Sequence, residues 1–168
     1  PSAAVELAQS DPECEVVFLE IGFETSIVPV VSIVDEALHA CVRNVSLLTA
    51  FKLVPPALHA LLADKEIKID AYLCPAHVSA IIGSQAYEPF AKDYHVPCVV
   101  AGFEPLDILY GVNGILGQVL KGEAKVENQY ARVVRPGGNP KAQERIARYL
   151  DPVDAVWRGV GVLPASGL

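Results

Sequence analysis

The sequence predicts an α/β protein, a mostly parallel sheet with helices on both faces in a Rossmann-like arrangement. Three observations carry this. Short apolar runs rich in Val, Ile and Phe alternate with segments whose apolar residues recur at helical spacing. Each such run is short enough to be buried on both faces, the mark of parallel strands joined by right-handed crossovers. The composition, 52% hydrophobic with a mean hydropathy of +0.34, is apolar enough for a doubly covered core, and 168 residues suit one compact domain. The expected organisation is therefore a single α/β domain over 1–168, with a core at 14–120 and a C-terminal extension at 121–168.

The elements follow in order. SAAVELAQS reads as a short helix and CEVVFLEIG as the first strand. Thr25 is a candidate N-cap for the helix SIVPVVSIVDEALHACV, where Pro29 is tolerable in the first turn. VSLLTA is the second strand, PPALHALLAD a helix opened by prolines, and IDAYLC the third strand. Helical material runs from His77 to Tyr94, and PCVVAG is the fourth strand. Pro105 opens a helix to about Leu120 whose Gly111, Gly114 and Gly117 form a small face for close helix packing. These glycines lie inside the helix and not between strand and helix, so they make only a weak dinucleotide fingerprint. Beyond Lys121, GEAKVENQYARVV holds a short strand, RPGGNP a turn and PKAQERIARYL a polar helix, and AVWRGVGVLP closes with a fifth or sixth strand.

Composition excludes several function classes. The formal net charge is −7, and Lys and Arg are scattered singly, so no basic stripe exists to neutralise phosphates. Nucleic acid and anionic membrane are poor partners. No apolar run approaches the roughly 20 residues of a membrane span, and the N-terminus, with Glu6, Asp11 and Glu13, lacks the basic region of a signal peptide. The chain has no Met and starts at Pro1, which predicts a piece cut from a larger multi-domain protein. Cys14, Cys41, Cys74 and Cys98 are widely separated with no C-x-x-C, which fits a reducing cytoplasm better than a disulfide scaffold.

Ligands of open parallel sheets bind beyond the carboxyl ends of the strands. After the first strand come Phe23, Glu24 and Thr25; after the second, Phe51 and Lys52; after the third, Pro75, His77 and Ser79; after the fourth, Phe103, Glu104 and Asp107. Gly-Phe-Glu thus recurs at 22–24 and 102–104, on the same edge of the expected sheet. Two readings are open for its glutamates: first-turn partners of a helix dipole, a role worth about 0.3–1 kcal/mol, or walls of a polar cleft. His77 is likewise either a local hydrogen-bonding residue or part of that cleft. CPAH and HVPC mimic paired zinc-ligand spacing, but Cys74 ends one strand and Cys98 begins the next. A five-residue strand separates its ends by roughly 16 Å, too far for zinc bonds of about 2.3 Å. No metal site is expected within the chain. Ser79 lacks the G-x-S-x-G elbow of a serine hydrolase.

The ordered set GFETS, LVPPAL, PAHVSAIIG, VVAGFEPLDIL, VENQYARVV and WRGVGVLPASGL covers essentially the whole chain and resembles the HypD family of hydrogenase maturation proteins. Glu24 and Thr25 fall on the family's Gly-Phe-Glu-Thr motif, His77 and Ser79 on Pro-Gly-His-Val-Ser, and Glu104 with Pro105 and Asp107 on Gly-Phe-Glu-Pro. Ala76 replaces the glycine before His77, and Ser26 stands where threonine is common. The resemblance implies a cytoplasmic scaffold that assembles the iron centre of [NiFe] hydrogenase, iron carrying cyanide and carbon monoxide, with a HypC-type chaperone and a HypE-type cyanide supplier. It implies an assembly scaffold more than a classical enzyme. It also implies a [4Fe-4S] cluster in the full-length family, but the family's cysteine loops match none of Cys14, Cys41, Cys74 and Cys98. No cofactor is therefore expected in this chain alone. Glu24, Thr25, His77, Ser79, Glu104 and Asp107 are the candidate cleft residues. The alternative is a free-standing α/β domain binding a small anion at helix N-termini near Thr25 and His77.

Overall fold

A computed structural model describes all residues 1–168. The chain folds as two compact units, Pro1–Leu53 with Glu144–Leu168, and Val54–Gln143. The last 25 residues thus belong with the first 53, a long-range closure that no local pattern announces.

In the first unit, helix α1 (Ser2–Ser10) leads into strand β1 (Val16–Gly22), helix α2 (Glu24–His39) and strand β2 (Val45–Phe51). β1 and β2 run parallel, with Val16 opposite Val45 and Gly22 opposite Phe51. The α2 stripe of Ile27, Val30, Val31, Ile33 and Ala37 buries against Val5, Phe51, Phe18 and Leu47, as its helical spacing requires. The opposite face of the pair, Val17, Leu19, Ile21 and Leu48, is open to solvent. α2 begins at Glu24 with Phe23 as its N-cap and no side-chain cap, so Thr25, the expected cap, is the second helical residue. Two later strands, β6 (Val153–Trp157) and β7 (Gly161–Gly167), complete this unit. They form an antiparallel hairpin in place of the one closing strand expected, because Gly159 and Gly161 adopt positive φ and reverse the chain.

The second unit holds α3 (Val54–Ala63), β3 (Tyr72–Pro75), α4 (Ala76–Ile82), a 3-10 turn at Ser84–Tyr87, α5 (Glu88–Asp93), β4 (Cys98–Ala101), α6 (Pro105–Lys121) and β5 (Val126–Asn128). α7 (Pro140–Tyr149) crosses the boundary between the two units. The sheet order is β3-β4-β5, all parallel. Both faces are covered. On one, Cys74, Cys98 and Val100 pack with Tyr87, Phe90, Leu58 and Leu62; on the other lies α6. A Cβ on Gly111 would sit 2.5 Å from Leu73 and 2.8 Å from Ala101, so this glycine does let the helix close on the sheet. Gly117 has nothing within 4 Å and takes no part in that contact.

The separation expected for Cys74 and Cys98 is corrected by the register. β3 and β4 are four residues long, and Cys98 lies opposite Tyr72 while Cys74 lies opposite Val100. A two-residue offset on one face of adjacent strands makes the thiols diagonal neighbours. Their mutual hydrogen bond pushes Cys74 up, aided by burial, and brings Cys98 down.

Candidate functional site

The two Gly-Phe-Glu motifs share a local construction. Each glycine ends or follows a strand and receives a side chain from the first turns of the next helix. A Cβ on Gly22 would lie 2.5 Å from Ser26 Oγ, and one on Gly102 would collide with Asp107 and Tyr130. Each phenylalanine then lies exposed beside a ring: Phe23 has its centroid 6.2 Å from Trp157, and Phe103 4.7 Å from His77. The glutamates diverge. Glu24 is the first residue of α2 and only 3% exposed, whereas the Glu104 side chain is 64% exposed. Glu104 is the N-cap of α6 through its backbone, its carbonyl accepting the Ile108 N–H at 3.0 Å.

In the second unit the carboxyl ends of β3 and β4 bring His77, Phe103, Glu104 and Asp107 onto one edge. α4 starts directly at the end of β3 with Pro75 as N-cap, so Ala76 is a buried helical residue and His77 the exposed one after it. Ala76 has no positive φ, so the backbone here does not demand glycine. Asp107, 7% exposed, sits in the first turn of α6 and accepts both ends of the Arg132 guanidinium: Nη1 to Oδ1 at 2.9 Å and Nη2 to Oδ2 at 2.6 Å. Arg132 also lies 3.5 Å from Glu104 Oε2, and its guanidinium carbon is 3.8 Å above the Tyr130 ring. The bidentate arginine, then the Glu104 carboxyl, hold Asp107 below its ordinary range, and the same pairing raises Arg132. Asn128 fixes the loop that carries them: its Oδ1 accepts the Tyr130 N–H at 3.0 Å, and its Nδ2 donates to the Val134 carbonyl at 2.8 Å.

Ser79 is placed differently. It is fully buried, its hydroxyl 2.7 Å from the Pro75 carbonyl and 3.0 Å from the Tyr87 hydroxyl. It anchors the helix that presents His77 and does not itself reach solvent.

In the first unit, Glu24 and the exposed Thr25 stand where β1 hands over to α2, and Lys52, just beyond β2, donates its N–H to the Gly22 carbonyl at 2.8 Å. The hairpin closes over this edge. Lys52 bridges Gly167, Leu53 N–H donates to the Ser166 carbonyl at 2.9 Å, and Trp157 Nε1 donates to the buried Ser166 hydroxyl at 2.9 Å. Sequence reasoning did not single out Arg132, Tyr130, Trp157 or Ser166. The available signal was an unbalanced pair of carboxylates at 104 and 107, which calls for a cation, and a basic residue two positions from an aromatic in QYAR.

No three His, Cys, Asp or Glu side chains converge to hold a metal ion. Cys14 and Cys41 are exposed and Cys74 and Cys98 buried. No helix is long and apolar enough to cross a membrane.

The family described as HypD, "Hydrogenase formation hypA family", matches residues 1–168. The chain is 42% identical over 174 residues to the hydrogenase maturation factor HypD of Azotobacter vinelandii, covering 100% of the chain and 46% of that protein. It is 43% identical over 169 residues to HypD of Escherichia coli, covering 100% of the chain and 45% of that protein. A putative hydrogenase expression/formation protein of Methanocaldococcus jannaschii is 39% identical over 166 residues, with 99% and 46% covered. The chain therefore spans about half the length of the curated relatives it matches.

Proposed function

We propose that this chain, which belongs to the HypD family, is the α/β portion of a hydrogenase maturation scaffold that lines the site where the iron centre of [NiFe] hydrogenase is assembled. The iron with its cyanide and carbon monoxide ligands is the cargo, and a HypC-type chaperone and a HypE-type protein are the partners that carry iron and supply cyanide. The setting is cytoplasmic, and the role is scaffolding more than enzymatic turnover.

The observation that carries this reading is the edge formed by His77, Phe103, Glu104, Asp107 and Arg132. Its chemistry suits an incoming polar ligand. His77 is an exposed imidazole whose ring is steadied by Phe103, able to donate or accept a hydrogen bond through its ring nitrogens. The Asp107–Arg132 clamp fixes a positive charge, with Glu104 beside it, so the edge offers both signs within one loop cluster. Ser79 and Asn128 position this edge. Glu24 and Thr25 offer a second carboxylate and hydroxyl at the corresponding end of the first unit, and orient iron ligands or the chaperone through outer-shell hydrogen bonds. On this reading the thiolates that hold iron and any cluster are not among Cys14, Cys41, Cys74 and Cys98.

The test is genetic. This chain replaces the matching region of the E. coli relative in a strain lacking that protein, and hydrogenase activity is measured. The substituted protein restores activity, and His77→Ala or Glu24→Ala abolishes it while soluble protein persists. Normal maturation in either variant would remove that residue from the site.

A further inference from the structure

Two adjacent residues in the second half of α6 have features that packing within the chain does not explain. Gly117 is a glycine inside a helix, which weakens the helix relative to alanine, yet a Cβ there would meet nothing within 4 Å. Gln118 is only 2% exposed. Its Oε1 accepts the Lys125 N–H at 2.9 Å, and because a backbone N–H can only donate, the amide cannot be turned over. Its Nε2 therefore stays buried without an acceptor, a state rare among buried polar groups.

Both residues line one groove of about 250 Å³. Tyr110, Asn113 and Gly114 continue its helical wall, and Lys125, Glu127 and Gln129 form the other wall along β5. The groove is separate from the edge that holds Asp107, which stands at the first turn of the same helix. Apart from the Tyr110 ring its side chains are polar or charged, so an apolar ligand finds little to bury against.

We propose that this groove binds a small neutral polyhydroxylated molecule, of the monosaccharide class, laid over Gly114 and Gly117. Charge selects the class. Lys121 and Lys125 balance Glu123 and Glu127 in the groove, and Lys125 is held by both glutamates, at 3.1 and 3.5 Å. An anion would find no net positive charge there and would lie toward the negative, C-terminal end of the α6 dipole. A cation would offer no acceptor to Gln118 Nε2. A hydroxyl group both donates and accepts, so one accepts from Gln118 Nε2 while its neighbours donate to Glu127 and to the amide oxygens of Asn113 and Gln129. The Tyr110 ring, 62% exposed, offers a flat apolar face to the carbon–hydrogen side of a sugar. With no side chains at 114 and 117 the ligand approaches the helix backbone closely, so one occupant explains both the open glycine and the partnerless amide.

Nuclear magnetic resonance of the isotope-labelled 168-residue chain tests the site, with D-glucose, D-galactose, D-ribose and glycerol as probes and sodium phosphate as the anionic control. Saturable shifts are expected at the Gln118 side-chain amide and at backbone amides of residues 113–129 for at least one of the polyols. Gly117→Leu fills the groove where nothing collides. It should raise the dissociation constant for that polyol at least about tenfold, a loss of about 1.4 kcal/mol, with thermal denaturation at no lower temperature than wild type. Asn113→Ala, on the exposed wall, should weaken binding as well, and it decides the matter if Gly117→Leu misfolds. No saturable shift with any polyol, saturation by phosphate alone, or polyol binding unchanged in both variants overturns the proposal.

Discussion

At the scale of single residues, the chemistry of the second unit turns on Asp107. Its carboxyl lies below its ordinary value of 3.8 chiefly because Arg132 binds it at both oxygens. The stabilisation from this pair is therefore complete above the unfolded value and is lost as pH falls through the folded one. Asp107→Asn lacks it at every pH. Chemical denaturation across pH should show a stability gap between wild type and variant that is wide at neutral pH and closes in acid; a gap independent of pH would mean the pair contributes nothing through charge. Ser79 has the opposite character. Ser79→Ala deletes hydrogen bonds to Pro75 and Tyr87 inside the core and should cost about 1 kcal/mol of unfolding free energy, measured by urea titration.

At the scale of elements, the strand ends decide what each Gly-Phe-Glu motif does. Gly102→Ala would drive a methyl group into Asp107 and Tyr130, so it should cost about 1–3 kcal/mol and also loosen the Asp107–Arg132 clamp, seen as a loss of the acid-dependent stability gap. A harsher case is the lock between α4 and the 135–139 loop. Gly83 has φ +89, a Cβ there would strike the backbone of Pro136 to Gly138, and Ser84 and Gln85 N–H groups donate to Arg135 and Pro136 carbonyls. Gly83→Ala combines a left-handed backbone with a backbone collision and should cost more than about 3 kcal/mol, with thermal denaturation as the readout. The order and type of these elements were legible because period-two and helical patterns hold in VVFLEIG, SLLTAF and the α2 stripe. The hairpin was not, because VWRGVGVLP reads as one apolar run and only the positive φ at Gly159 and Gly161 splits it. Nor was the Cys74–Cys98 proximity, which depends on a register that no single strand records.

At the scale of the whole molecule, the α/β class and the parallel pairing of strands follow from alternation along the chain, whereas the union of residues 144–168 with the first 53 does not. Long-range closure joins apolar packing of Ile146, Tyr149 and Leu150 against the α2 core with polar contacts from side chains that look like ordinary surface residues. In the first unit Arg145 reaches Asp35 at 3.1 Å and Ser32 at 3.0 Å, and Tyr149 donates to Asp35. The candidate site divides in the same way. Carboxylates and histidine at strand ends are visible in sequence because the strand ends are, but Arg132, the cation that organises two of them, arrives from 25 residues beyond Asp107. The most direct measurement of the proposed role is the infrared spectrum of this chain placed within the framework of a full-length relative, purified anaerobically after co-expression with the HypC-type and HypE-type partners. The account predicts bands of iron-bound cyanide and carbon monoxide for the parent, and their loss in His77→Ala and Glu24→Ala proteins that remain folded. Bands of undiminished intensity in both variants would contradict it.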